Sequence, residues 1–360
     1  MKVLKKALAV AFGTLVALSA FSGCVKHKEK QFFSVYMPDG APAMAFAKMM
    51  QEDTDKNAFE YVVVAPAVIA SKVTNENHAK NADICALPIT AASKLLGGKE
   101  DYQMLGVVTS GNLCLLSKNE TVISAFETTE PTETAHLSHL IGKTVGVMQM
   151  NNMPGYTFKS ILNEYGVPWQ VLGNDGVTAE DKVNLKAIAD ATAINPADTS
   201  VACYLVAEPA ASVQVQKKGF SYVSSVETLY YKGQIPMNCT GPSYAGYPQA
   251  VLVAKRSLIE TESAALQAFM TELTEKSSNG VILRMSGEEI FATITAHQED
   301  AAYKTTLNAG VLTEATIGRC RVGFAAASLS KGAVQAYLQR IVTVDASAAK
   351  TLKDSFFYLP

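Results

Sequence analysis

Short apolar runs alternate along this chain with longer amphipathic stretches, each pair separated by a Gly, Pro or Asn turn. Residues 32–37 predict a strand, which Pro38-Asp39-Gly40 turns into a helix over 41–52 with Pro42 in its first turn. Residues 61–64 and 83–87 predict two further strands, followed by helices over 67–77 and 90–96, the second stopped by Gly97-Gly98. Strands over 102–109 and 113–116 flank Ser110-Gly111-Asn112. Residues 120–139 are polar and read as a surface connection. A strand over 143–148 leads through Asn151-Asn152-Met153-Pro154 into a helix over 155–165, and Thr178-Ala179-Glu180-Asp181 has the spacing of another helix start. Residues 200–206 form an apolar run suited to a sheet covered on both faces. Glu208-Pro209 then opens a helix ending at Lys217, Lys218 and Gly219. Residues 230–247 read as irregular and 249–254 as a strand. Ser257-Leu258-Ile259-Glu260 and Ser286-Gly287-Glu288-Glu289 have capping-box spacing, and the chain is mostly helical from Ser257 onward.

Alternating strands and helices predict an α/β fold with right-handed crossovers and mostly parallel sheets. One unit recurs at 39–43, 87–91, 150–156 and 207–211: a strand end, a small-residue or proline turn, then a helix N-terminus. Carboxyl ends of strands line the ligand crevice of open α/β sheets, and helix starts offer free N–H groups there. The candidate ligand-binding residues are therefore Asp39, Gly40, Ala41, Pro88, Ile89, Thr90, Ser110, Gly111 and Asn112 in one half of the chain. In the other half they are Gln149, Asn151, Asn152, Tyr156 and Glu208, with Asn174 beside them.

The first residues change the address of the protein. Lys2, Lys5 and Lys6 precede an uncharged run over 7–18 and then Ser22-Gly23-Cys24. This is the layout of a secretory signal, and the run is shorter than the roughly 20 residues a membrane-spanning helix needs. Ser22-Gly23-Cys24 resembles a bacterial lipobox, with Phe21 where that motif usually has Leu. It implies removal of residues 1–23, acylation of Cys24 and a polar tether over 24–30. The chain carries 31 basic and 33 acidic residues, so losing three lysines brings the net charge near −5. That balance has no electrostatic footprint for nucleic acid. The other cysteines, Cys85, Cys114, Cys203, Cys239 and Cys320, are odd in number, widely spaced and free of CxxC pairs. They read as buried thiols, neither a disulfide framework nor a zinc site.

Four segments in order carry a family resemblance: Met37-Pro38-Asp39-Gly40-Ala41-Pro42-Ala43, Ala82-Asp83-Ile84-Cys85-Ala86-Leu87-Pro88, Gly142-Lys143-Thr144-Val145-Gly146-Val147 and Ala207-Glu208-Pro209-Ala210. Behind a lipobox, they resemble the substrate-binding lipoproteins of ABC importers. The branch is that of the sulfonate, taurine and nitrate binders and the binders of thiamine-pyrimidine precursors, and Asp354-Ser355-Phe356-Phe357-Tyr358 is similar to an ending found there. The resemblance spans residues 31–360. It implies a two-lobe type II periplasmic-binding-protein fold: lobe one over 31–117 and 248–360, lobe two over 142–247, a connector over 118–141 and a hinge between lobes. It also implies a monomeric, extracytoplasmic protein held to the cell membrane by lipid, a small-molecule ligand, and a permease as partner.

The sequence argues against an enzyme, and no cofactor or metal is expected. Gly142-Lys143-Thr144 lacks the first glycine of a P-loop, since position 137 is Leu137. Gly241-Pro242-Ser243-Tyr244-Ala245 lacks the last glycine of a nucleophile elbow. His136 and His139 sit in the polar connector, and Met148, Met150 and Met153 read as packing. The alternatives are a pyrimidine-synthesising enzyme on the same fold, whose cysteine-rich signature is absent, and a surface sensor without transport. The turn candidates include no Lys or Arg, with Arg319 and Arg321 the nearest cations and Arg319 the one added to the ligand set. Asp39 and Glu208 could accept from an amine or ring N–H, so the expected ligand is a small neutral or amine-bearing polar molecule, planar heterocycles included.

Overall fold

The computed structural model describes residues 32–53, 58–127, 133–231 and 246–360. The signal segment, Cys24, the tether, Cys239 and most of the 230–247 stretch lie outside the described residues. Among the described residues twelve strands form two six-stranded sheets. The first contains β1 (Phe33–Pro38), β2 (Phe59–Val64), β3 (Ile84–Pro88), β4 (Tyr102–Ser110), β11 (Pro248–Lys255) and β12 (Val322–Ala326), in the order β12-β4-β11-β3-β1-β2. The second contains β5 (Leu113–Ser117), β6 (Thr144–Met148), β7 (Trp169–Val171), β8 (Val183–Ile188), β9 (Cys203–Ala207) and β10 (Ser221–Ser225), in the order β10-β5-β9-β6-β8-β7.

Both sheets are mixed rather than mostly parallel. β1, β2 and β3 pair in parallel, as do β6 with β8 and β9, and β7 with β8. The strands next to the crossings, β4, β5 and β11, pair antiparallel with their neighbours because the chain passes straight from one sheet to the other there. The first crossing lies at Ser110-Gly111-Asn112, so Leu113–Ser117 belongs to the second sheet and the expected boundary at residue 117 moves back to it.

Register puts four strand ends on the facing edges of the two sheets. Pro88 at the end of β3 lies opposite Ala250, and Pro248 opposite Ser110, so β3 and its neighbour β1 finish at the edge where the chain crosses. In the second sheet Leu113 lies opposite Ala207, and Val147 opposite Leu205, so β9 and β6 finish at the edge facing the first sheet.

Apolar side chains cover both faces of the first sheet. On one face the helix Ile89–Leu95 and the long helix Ala327–Val344 join a core that runs on into the second sheet through Val145, Val147, Phe158 and Leu205. On the other face the sheets keep separate cores, one around Phe46, Leu252, Phe269 and Val322, the other around Cys114, Tyr204, Val206 and Ala211.

Several expected elements differ. The helix over 41–52 is two short ones, Ala41–Met44 and Ala47–Gln51, and the stretch 67–77 contributes a single 3-10 segment, Ile69–Val73. Thr178 caps no helix. Buried Asn184 at the start of β8 holds the preceding loop instead, accepting from the Ala179 N–H at 2.8 Å and donating to its carbonyl at 2.9 Å. The polar connector is partly helical, over Glu120–Glu127 and Glu133–Ser138, and it buries Val122, Leu137 and Leu140 completely, which polarity averaged over the stretch conceals. The capping box at Ser286 is present; the one expected at Ser257 is not, because the helix Arg256–Thr261 starts at Lys255. Among the described residues no helix is long and apolar enough to cross a membrane.

Gly246 and Gly111 touch where the two crossings pass. A Cβ on Gly246, at φ +142°, would lie 2.9 Å from the Gly111 backbone, which cannot yield. Gly246→Ala should therefore cost about 1–3 kcal/mol in urea unfolding. Gly332→Ala, inside a helix with open space around it, should stabilise by roughly 0.5–1 kcal/mol.

Candidate ligand-binding cleft

The facing sheet edges define a cleft whose floor is the pair of crossings. Asn112 joins that floor together: its amide donates to the Glu208 carbonyl at 3.1 Å, and its Oδ1 accepts from Gln249 Nε2 at 2.5 Å. Gln249 Oε1 accepts the Asn112 N–H at 3.2 Å, and the Glu208 N–H donates to the Asn112 carbonyl at 2.9 Å. The buried Tyr247 hydroxyl accepts the Leu113 N–H at 3.3 Å. Ser110, Gly111 and Asn112 are thus floor and hinge residues, and Gln249 and Tyr247 join them unforeseen.

The first wall carries Asp39, Gly40 and Ala41 after β1, and Pro88, Ile89 and Thr90 around the end of β3. Gly40 adopts φ 105°, open to glycine without strain, and caps the helix Ala41–Met44 without a side chain. Asp39 is 4% exposed and already saturated. Its Oδ1 accepts from the Thr305 hydroxyl at 2.6 Å; its Oδ2 accepts from the Tyr303 hydroxyl at 3.0 Å, the Thr306 N–H at 2.8 Å and the Thr306 hydroxyl at 2.9 Å. It fastens the 303–306 loop to the wall.

The second wall carries Gln149, Asn151 and Asn152 before the helix Met153–Glu164, and Glu208 before the helix Ala210–Lys218. Gln149 sits at φ 52°, a left-handed turn that swings the chain from β6 into the helix. Asn152 occupies the cap position but makes no capping bond, and Asn151 and Asn152 are both exposed. Tyr156 turns away from this wall, its hydroxyl donating to Asp345 at 3.1 Å. Asn174 lies in an exposed turn after β7 and joins none of the others.

Glu208 is also saturated. Its Oε1 accepts from Arg319 Nε at 2.7 Å and the Tyr222 hydroxyl at 2.6 Å, and its Oε2 accepts the Ser212 N–H at 3.0 Å. Burial, together with this carboxylate, holds the Tyr222 phenol well above its usual range, so it remains a donor. The structure brings Asn112, Glu208 and Arg319 together with Ser212, Tyr222 and Thr316. The two carboxylates on which an amine ligand rested are filled by the chain's own donors.

The first N–H groups of four helices have no intrahelical partner, and Arg319 Nη1 is not engaged by Glu208, Ser212, Tyr222 or Thr316. A cleft of this polarity suits an acceptor-rich solute.

Solved structures place this architecture. An ABC transporter protein from Parabacteroides distasonis superposes with TM-score 0.65 at 17% identity, covering 91% of this chain and 99% of its own. The periplasmic aliphatic sulphonate-binding protein SsuA from Escherichia coli gives 0.58 at 13% identity, covering 92% of both chains. The fold is that of the binding proteins of ABC transporters. A zinc-bound ligand-binding component of an import system from Staphylococcus aureus gives 0.51 at 10% identity, covering 91% of this chain and 96% of its own. No family model matches the sequence, and no curated protein matches it. At these identities the likeness concerns the backbone arrangement alone.

A separate cavity of about 460 Å³ lies at the far edge of the first sheet, lined by His78, Glu100, Asp101, Lys255 and Arg256. Its basic groups are engaged: Lys255 pairs with Asp83 at 2.9 Å and Arg256 donates to the Glu100 carbonyl at 2.8 Å. Among the described residues no group of three or more His, Cys, Asp or Glu could hold a metal ion, and His136 stacks on Phe126.

Asp39→Asn sets an amide donor against the Tyr303 and Thr306 donors. It should lower unfolding stability by about 1.5–3 kcal/mol by chemical denaturation. Burial raises the Glu227 carboxyl above its ordinary range, against the pull of Arg321. The folded chain then holds this proton to higher pH than the unfolded chain does, so Glu227 makes stability fall as pH rises above about 4.3. Glu227→Gln should flatten that part of the stability–pH curve, and an unchanged slope would contradict it.

Proposed function

We propose that this protein is the extracytoplasmic solute-capturing component of an ABC importer, anchored to the membrane through acylated Cys24. It takes one small acceptor-rich molecule, anionic or polyoxygenated, between the two walls and hands it to a permease. The reading is supported by strand register, which ends β1, β3, β6 and β9 beside a crossing built from Gly111, Asn112, Gly246 and Gln249. The likeness to transporter binding proteins supports it.

Chemistry on the solute is not part of this reading. The described cysteines, Cys85, Cys114, Cys203 and Cys320, are all buried. Burial pushes the Cys203 thiol up to about 12 and the other three higher still, far from thiolate at neutral pH.

The test is a thermal-shift and calorimetric screen of the protein from Cys24 onward against taurine, alkanesulfonates, short carboxylates and pyrimidines. A hit should stabilise by about 2.7 kcal/mol at a hundredfold excess over Kd and be recovered unchanged by mass spectrometry. Conversion of the compound would overturn the reading. Tight binding of amines, with no response to any acceptor-rich compound, would overturn the ligand class.

A further inference from the structure

The two faces of the molecule join the sheets in different ways. On one face a single apolar core runs through the join, with polar pairs along its edge. Tyr247 stacks on Tyr337 at 5.9 Å, the Thr157 and Tyr337 hydroxyls meet at 2.7 Å, and Arg340 pairs with Glu164 at 2.8 Å. All three tyrosines of this seam, Tyr230, Tyr247 and Tyr337, belong to the core that spans both sheets.

On the other face the two cores stay separate, and the join is polar. Arg319, at the end of the helix Glu314–Arg319, reaches Glu208 at 2.7 Å and lies over the Tyr222 ring at 4.5 Å. Thr316 meets the Ser212 hydroxyl at 3.0 Å. Two residues on, Arg321 reaches Glu227 at 2.8 Å. Arg321 holds a left-handed backbone, φ 50°, while its carbonyl accepts the Ser110 N–H at 3.1 Å at the crossing. Glu227 is 3% exposed, and its second oxygen has no partner. A strained non-glycine residue facing a half-satisfied buried carboxylate persists when surrounding structure imposes it.

We infer that the lobes pivot about the apolar seam and that Arg319–Glu208 and Arg321–Glu227 form a polar clasp on the opposite flank, which fixes how far the ligand-free protein stays closed. This rests on the reading of the chain as a two-lobed solute binder. Rotation about the seam keeps its buried area, whereas an ångström or two of separation on the clasp side breaks both ion pairs. The arginines are about one-third exposed while Glu208 and Glu227 are buried, so parting the pairs leaves buried carboxylates short of a donor and holds the flank shut. Arg319 and Arg321 are positioning residues: they bias the closed state that the solute selects.

The test reads distance, not binding. Spin labels at Glu314→Cys and Lys217→Cys, both exposed, span the clasp flank in a full-length chain carrying Cys24→Ser and Cys239→Ser. Without solute, Arg319→Gln with Arg321→Gln should raise the long-distance population severalfold, by double electron–electron resonance. Arg340→Gln, on the seam, should lower unfolding stability without that shift. Should the double glutamine variant not fold, Arg319→Lys with Arg321→Lys keeps the charges but loses the planar fork and ring stacking, and should give an intermediate shift. Unchanged distances in whichever double variant folds, or an equal shift from Arg340→Gln, overturns the clasp. Because no solute enters the measurement, a ligand screen that finds nothing leaves this result standing, and the reverse holds as well.

Discussion

Two backbone segments pass between the sheets in van der Waals contact, and the rest of the molecule is arranged around that contact. Gly111 and Gly246 approach so closely that either Cβ would strike the other chain. Two crossings that close act as one narrow joint. Asn112 and Gln249 then exchange hydrogen bonds across it, so the joint has a register as well as a position. Fixing β4 against β11 at this point fixes the ends of β3 and β1 beside them, and fixing β5 against β9 does the same for β6. The strand ends next to the joint are thereby held in place relative to one another.

The cleft's polarity follows from where the chain places its own donors. Asp39 and Glu208 are buried carboxylates in strand-end turns, and an unpaired carboxylate there would be costly. Each is surrounded by donors from a different part of the chain: Tyr303, Thr305 and Thr306 around one, Ser212, Tyr222 and Arg319 around the other. Their negative charge is consumed in positioning structure.

The strand–turn–helix unit was legible because each instance is local: apolar run, proline or glycine, helix start. Eight of the twelve described strands follow from apolar runs that end in such turns; β7, β8, β10 and β12 do not, β8 lying where Thr178 signals a helix and β12 inside a stretch that reads as mostly helical. The crossing was read as a ligand tip because Ser-Gly-Asn is a turn signal either way, and the long-range partner Gln249 sits 137 residues on. The same distance problem hid the fate of Asp39. Its partners lie more than 260 residues away, in a stretch without motif. Thr178 misled for the opposite reason: a correct local capping signal was overruled by buried Asn184 and by the strand that follows.

Arginine usage ties these points together. The chain has five arginines, all after residue 255, whereas lysines are spread along its length. Lysines make surface pairs within one lobe, as in Lys48–Glu52 and Lys276–Glu272. Three of the five arginines instead cross to Glu164, Glu208 and Glu227 in the other lobe. Two of those three also sit over a tyrosine ring, Tyr222 or Tyr230. A guanidinium suits that position because it stays charged when half-buried, forks onto a carboxylate and stacks on a ring, none of which an ammonium does as well. The clustering of arginine in the last third of the sequence is thus a one-dimensional trace of where the two lobes meet.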